Sequence, residues 1–397
     1  MNDNNGDVVT NIVRSFTEVY GSQRPAFISR ACGRVELIGG HTDYNEGFVL
    51  AAAINDCCWV AASKRNDGKV CMYSEWVKEK HEFKLSANLK PSGDCKWANY
   101  GRGVAALLIQ EGLALKSANL YIHSDVPVGA GLSSSAALEV SLAQAMIHLS
   151  QPDCDMESIR LAQICQKAEN VYAKSPCGIM DQIVSIMGTK DHAVLLDCRD
   201  LSIKSLPFDS DTCCIMIFNS MVKHEVGGGE YGKRRQQCEQ ACAVLSKKYP
   251  RVKALRDADE SMLNSVKGQL DSVQFRRASH IIGENARVLA AGEALGRHDM
   301  AEFGKLMTQS HCSARDLYQI SCEQTDFLVE QICCCDGAYG ARIGGGGFGG
   351  SVVALARPDA AKKITQKVHK AYKDKFDLAS DIYTARPWQG TEIIELK

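Results

Sequence analysis

Two short apolar runs near the N-terminus, residues 26–28 and 35–38, predict strands. The Gly39-Gly40 and Asn45-Glu46-Gly47 clusters that follow predict turns. Residues 136–149 are rich in Ala, Leu, Val and Met and contain no Gly or Pro, which predicts a helix. Further helices are expected around 230–248, 258–296, 323–334 and 358–373, with a strand over 352–355. Strand and helix segments mix without a regular β-α alternation, so the expected class is α+β and not a doubly wound sheet. At 397 residues the chain exceeds one usual core, and two domains are expected, over 1–195 and 196–397.

Three glycine-marked segments carry the candidate chemistry. In residues 33–47, Arg34, His41, Asp43, Tyr44 and Asn45 sit on a loop behind an apolar run. A strand-held polar loop is a usual way to present a binding site, and this one suits a ligand rich in hydroxyls. The second segment is Pro-Val-Gly129-Ala-Gly131-Leu-Ser133-Ser134-Ser135, leading into the helix predicted from Ala136. Its glycines allow a bend that turns several N–H groups one way, and its serines can cap the helix. Orphan N–H donors and the helix dipole then favour phosphate. The third segment, residues 342–351, has six glycines in seven positions and precedes the 352–355 strand. Gly345-x-Gly347-x-x-Gly350 matches a dinucleotide fingerprint in form only. Too little chain follows for a full dinucleotide domain, and Lys370 stands where an acid would be wanted. Gly227-x-x-x-x-Gly232-Lys233 is followed by Arg234, not Ser or Thr, so the common nucleotide-hydrolase loop is absent.

Composition narrows the classes further. Lys plus Arg total 46 against 47 Asp plus Glu, a net charge of −1 that makes no electrostatic case for nucleic acid or anionic membrane. The polar start, Met1-Asn2-Asp3-Asn4-Asn5, and the lack of any apolar stretch near eighteen residues lead us to expect a cytoplasmic protein, monomeric or weakly dimeric. Eighteen cysteines without a C-x-x-C pair read as reduced, mostly buried residues; Cys238 and Cys242 have helical spacing but no further metal-ligand partner.

The three segments resemble the signature motifs of the GHMP small-molecule kinases, and most nearly those of the galactokinase family. That family's Gly-Arg-Val-Asn-Leu-Ile-Gly-Glu-His-Thr-Asp-Tyr-Asn is similar to residues 33–45, and its Gly-Ile-Met-Asp-Gln recurs as residues 178–182. Its Glu-Tyr-x-x-Arg-Arg-x-x-Cys-Glu matches residues 230–239, and Ser310-His311 and Arg315-Asp316-Leu317-Tyr318 fall where such enzymes carry related patterns. The resemblance implies a two-domain fold with the active site in the cleft between halves, and an ATP- and Mg²⁺-dependent sugar kinase acting on the anomeric hydroxyl. It implies that the loop with Gly129, Gly131, Ser133, Ser134 and Ser135 wraps the ATP phosphates, and that Ser135 and Glu169 hold Mg²⁺. Asp181 would face the anomeric hydroxyl as general base with Arg34 beside it. Gly40, His41, Asp43, Gly178 and Tyr231 would line the sugar, and the 344–350 loop would support both pockets.

Departures from the family pattern leave the substrate open. The acid before the histidine, which in the family accepts a hydrogen bond from the galactose 6-hydroxyl, is Gly40 here. The family's asparagine is Glu36, a position able to face away from the site. Either Glu36 or a neighbouring side chain takes over the role, or the sugar differs at C6, as in galacturonate or L-arabinose. Gly227-Gly228-Gly229, in place of Ala-Ser-Ser, suggests a mobile lid near Tyr231. A non-catalytic sugar sensor is the remaining alternative, against which the intact Ser135, Glu169, Arg34 and Asp181 argue.

Overall fold

The computed structural model describes residues 5–175, 177–222 and 229–396. Gly227 and Gly228, on which the expected lid rests, lie outside them, as do Lys223, His224, Glu225 and Pro176. Twelve strands are present among the described residues: β1 (Phe27–Ile38), β2 (Phe48–Lys64), β3 (Lys69–Ser74), β4 (Glu79–Lys84), β5 (Ala118–Ser124), β6 (His192–Asp197), β7 (Ile203–Pro207), β8 (Cys214–Asn219), β9 (Ala338–Ile343), β10 (Ser351–Ala356), β11 (Asp381–Ala385) and β12 (Thr391–Glu395). They form an eight-stranded sheet ordered β12-β1-β2-β5-β3-β4, with β6 on β2 and β7 on β6, and a four-stranded sheet ordered β11-β8-β10-β9. Every pairing is antiparallel except β3 with β5. Residue 195 falls inside β6, which pairs back onto β2.

The two strands expected at 26–28 and 35–38 are one. All twelve residues of β1 are buried: β2 flanks one edge, β12 covers the other over residues 27–31, and the helices Ser134–Ser150 and Met180–Met187 pack against it. The polar residues that hid this continuity are neutralised in place: Arg30 pairs with Glu392 at 2.7 Å and lies over the Trp59 ring. The helix expected over 258–296 is also two helices, Glu260–Ser265 and Ser272–Gly296. Asp271 starts the second by accepting from the Val273 and Gln274 N–H groups, both at 2.8 Å. Expected helices at 230–248, 323–334 and 358–373 appear as Glu230–Lys248, Glu323–Cys333 and Ala361–Phe376. The helix Ser134–Ser150 packs on β1 and β2, while Met300–Ser313 and Glu323–Cys333 cover β9. No helix among the described residues is long and apolar enough to cross a membrane.

Candidate active site

Where the two halves meet, Arg34, His41, Asp43, Gly178, Asp181 and Tyr231 line one cavity of about 460 Å³, together with Glu36, Cys177 and Gly346. Gly40 sits behind that wall. Arg34 and Glu36 are two residues apart on β1, so their side chains project from the same face. Glu36 therefore faces the cavity beside Arg34, which corrects the expectation that it could point away.

Asp181 opens the helix Met180–Met187, which is fastened to β1 by a bond of 2.7 Å from Ser185 Oγ to the Cys32 carbonyl. Its carboxylate is held on both oxygens. Arg34 Nε donates to Oδ1 at 2.7 Å and Ser133 Oγ donates to Oδ2 at 2.5 Å. The same arginine reaches the glycine loop, with Nη1 donating to the Gly131 carbonyl at 2.7 Å and its backbone N–H to the Leu132 carbonyl at 3.1 Å. Ser351 Oγ takes the Ala130 carbonyl at 2.7 Å. In a planar trans peptide the C=O and the following N–H point oppositely. Anchoring three successive carbonyls to the protein therefore turns the N–H groups of Gly131, Leu132 and Ser133 the other way. Ser133, at φ +55°, is the N-cap of Ser134–Ser150 and makes no side-chain cap bond, contrary to the capping role expected for the serines. The helix N-terminus is thus left open to an anion, while Gly129 and Gly131 take the positive φ that the bend needs.

Glu169 is buried at the start of a π-helical turn, Glu169–Ala173, that follows the helix Ser158–Ala168. Burial raises its pKa, and the nearby Ser135 hydroxyl works against that rise. Gln182 Nε2 donates to Glu169 at 2.9 Å and to the fully buried Glu139 at 3.1 Å, and the Cys177 thiol donates to Glu169 at 3.3 Å. Burial, reinforced by Glu169, lifts Glu139 well above the carboxylate range. Glu139, Glu169 and Asp181 thus stand close enough to influence one another, with Arg34 beside Asp181 and Glu169 and Lys174 also lining the cavity. The hard oxygen donors of Ser135 and Glu169 fit Mg²⁺, which needs only one or two carboxylates when phosphates and water complete its shell.

The sugar side is more tightly bonded. The Gly346 carbonyl at 3.2 Å can only accept, so His41 Nε2 carries the proton and Nδ1 accepts from Tyr44 Oη at 2.7 Å. Tyr44 in turn accepts from Tyr318 at 2.7 Å, and Tyr318 from the Cys238 thiol at 3.2 Å. Burial pushes His41 down to about 3, so the ring is neutral, and Tyr231 packs against both His41 and Tyr44. A Cβ at Gly178 would run into the Asp43 carboxylate, so these two positions interlock. Behind them, the helix Ser272–Gly296 buries a polar stripe against the motif. Glu284 accepts from Gly39 N–H at 3.2 Å and Ser310 Oγ at 2.5 Å, and Asn285 accepts from Phe48 N–H at 2.9 Å.

Glu284 escaped the sequence reading, whereas Glu36 is weighed there as a stand-in for the missing acid and Gln182 and Arg342 enter only as members of their motifs. Period-two alternation from Arg34 was a usable signal for Glu36. Nothing in the pattern marked Glu284, since polar residues at helical spacing read as a solvated face.

Family models match three stretches of the chain. They are a "Galactokinase galactose-binding signature" over residues 14–64, "GHMP kinases N terminal domain" over 99–189 and "GHMP kinases C terminal" over 292–374. With the fold, these define a GHMP-class small-molecule kinase. The chain is 41% identical over 342 residues to a galactokinase from Chloroflexus aurantiacus, covering 86% of this chain and 87% of that protein. It is 39% identical over 373 residues to a galactokinase from Bos taurus, covering 92% and 93%. A crystal structure of Lactococcus lactis galactokinase complexed with galactose superposes with TM-score 0.91 at 29% identity over 97% of this chain and 99% of that one. A mevalonate kinase, at TM-score 0.62 and 16% identity over 90% and 98%, shares the fold. The chain belongs to the galactokinase family.

Proposed function

We propose that this chain is an ATP-dependent galactokinase that transfers the γ-phosphoryl group of ATP to the C1 hydroxyl of galactose. One observation carries the reading: Asp181 faces a cavity of about 460 Å³ while bonded to Arg34 and to Ser133 of the glycine loop. A carboxylate that touches both a sugar-sized cavity and a phosphate cradle is placed to take the proton of the attacking hydroxyl. Phosphoryl transfer depends mainly on positioning and charge stabilisation. The loop N–H groups and the Ser134 helix N-terminus would hold the nucleotide phosphates. Arg34 would orient Asp181 and stabilise charge on the transferring group. Ser135 and Glu169 would hold Mg²⁺, which supplies neutralisation of the phosphate oxygens when bound. Asp43, Gly178 and Tyr231 would shape the sugar pocket. His41, with both ring nitrogens bonded within the protein, would support its wall. ATP dependence and eighteen free cysteines support a cytoplasmic setting.

The galactokinase relatives favour galactose over galacturonate and L-arabinose, and favour an enzyme over a sensor. The test is ADP release from Mg-ATP with each of the three sugars. Galactose should be turned over with the highest kcat/KM; binding of galactose without ADP release would overturn the reading.

A further inference from the structure

Position 40 has no side chain, and its space is filled. A Cβ built there would lie 2.6 Å from Arg342 Nη2 and 3.5 Å from Glu36 Oε1. Arg342 comes from β9, in the other half of the molecule, and is 1% exposed; its Nη1 donates to Glu36 Oε1 at 2.8 Å and to the Glu36 carbonyl at 3.4 Å. Burying such a pair is costly unless the geometry is well satisfied. Arg342 Nε has no hydrogen-bond partner among the described residues. The arginine fixes one oxygen of Glu36. The other, Oε2, has no hydrogen-bond donor among the described residues, and Glu36 lines the cavity. Along β1, Glu36 lies about 6.6 Å beyond Arg34, two strand residues at about 3.3 Å each. Since Arg34 holds the carboxylate at the reacting end, Glu36 stands roughly one pyranose ring away from it.

We infer that Glu36 is a specificity-determining residue that accepts a hydrogen bond from a hydroxyl at the remote end of the sugar, on C4 or C6. Arg342 is its positioning residue, and Gly40 leaves the room that Arg342 occupies. The inference rests on the sugar-kinase reading and deepens it. Its readout is binding, so it is decided whether or not turnover occurs.

The experiment is calorimetric titration of the unaltered protein, Glu36→Gln and the double variant Glu36→Asn with Gly40→Glu, using galactose, 6-deoxygalactose and 4-deoxygalactose. Glu36→Gln should weaken galactose binding roughly 10–100-fold, the range for losing a hydrogen bond to a charged group. It should leave the affinity for one of the two deoxy sugars nearly unchanged, and that sugar identifies the hydroxyl. The double variant returns a carboxylate to the same corner from position 40 and should recover the discrimination. Equal weakening of all three sugars, or no weakening of galactose, overturns the inference. If Glu36→Gln does not fold, the unaltered protein decides: it must prefer galactose over at least one deoxy sugar by about tenfold or more, and equal affinities overturn the inference. Tight galactose binding without ADP release would sink only the kinase reading.

Discussion

The two sides of the cleft are built differently. On the sugar side, His41, Tyr44, Tyr318 and Cys238 form a closed hydrogen-bond relay, Glu284 holds Gly39, and Arg342 holds Glu36. On the phosphate side the loop is fixed through its carbonyls, Gly129 and Gly131 are exposed, and the Ser134 helix has no side-chain cap. Sugar hydroxyls are neutral and must be discriminated by position, which rewards a prearranged wall. Phosphates bring charge, and oriented N–H donors at an open helix N-terminus suffice to receive it. The wall selects; the loop receives.

Perturbing the junction should have the largest effect. Asp181→Asn should lower ADP release with galactose by about 10²–10⁴-fold, the scale of general-base catalysis, with galactose and Mg-ATP affinities within a few fold of the unaltered protein. Activity above a tenth of the original would remove Asp181 from the chemistry. Gly178→Ala comes next, because its Cβ displaces Asp43. With overpacking at about 1–3 kcal/mol, galactose KM should rise roughly 5–150-fold while ATP KM holds still; a rise in both would show that the two sides are not separable.

The third prediction concerns pH. Burial pushes Asp43 up to about 6. Above that pH it is a carboxylate able to accept a sugar hydroxyl, and below it is protonated, so galactose affinity should fall by up to about tenfold per unit as pH drops below 6. The stability sign is opposite. The folded state binds this proton more tightly than the unfolded state, so the sugar-free protein loses stability as pH rises from about 4 to 6. Calorimetric titration and thermal unfolding across pH 4–8, with Asp43→Asn as the flat control, check both. Smallest is Ser134→Ala, which should raise ATP KM about 2–10-fold and leave galactose KM alone. An unchanged ATP KM would remove that hydroxyl from the phosphate site.

Much of the site was legible because its residues cluster in short motifs. Arg34, His41 and Asp43 fall within one strand and turn, and Asp181 lies three residues after Gly178. The glycine loop and its helix were equally plain, with the helix starting at Ser134, two residues before the expected start. What stayed hidden depends on partners distant in sequence. Glu36 and Arg342 are 306 residues apart, so their ion pair is not legible from either position alone. Likewise, β1 read as two fragments because the neutralising partners of Arg30 and Arg34, Glu392 and Asp181, are remote. The stripe of Arg277, His280 and Glu284 has the spacing of a solvated helix face and is buried.

The pairing of β1 with β12 has a consequence for biogenesis. Residues 27–31 obtain their outer neighbour from residues 391–395. On the ribosome, the strand bearing Arg34 must therefore wait with one edge bare until the whole second half has been synthesised. A nascent chain in that state presents unpaired N–H and C=O groups, the kind of surface that chaperones shield and that premature termination would leave permanently exposed.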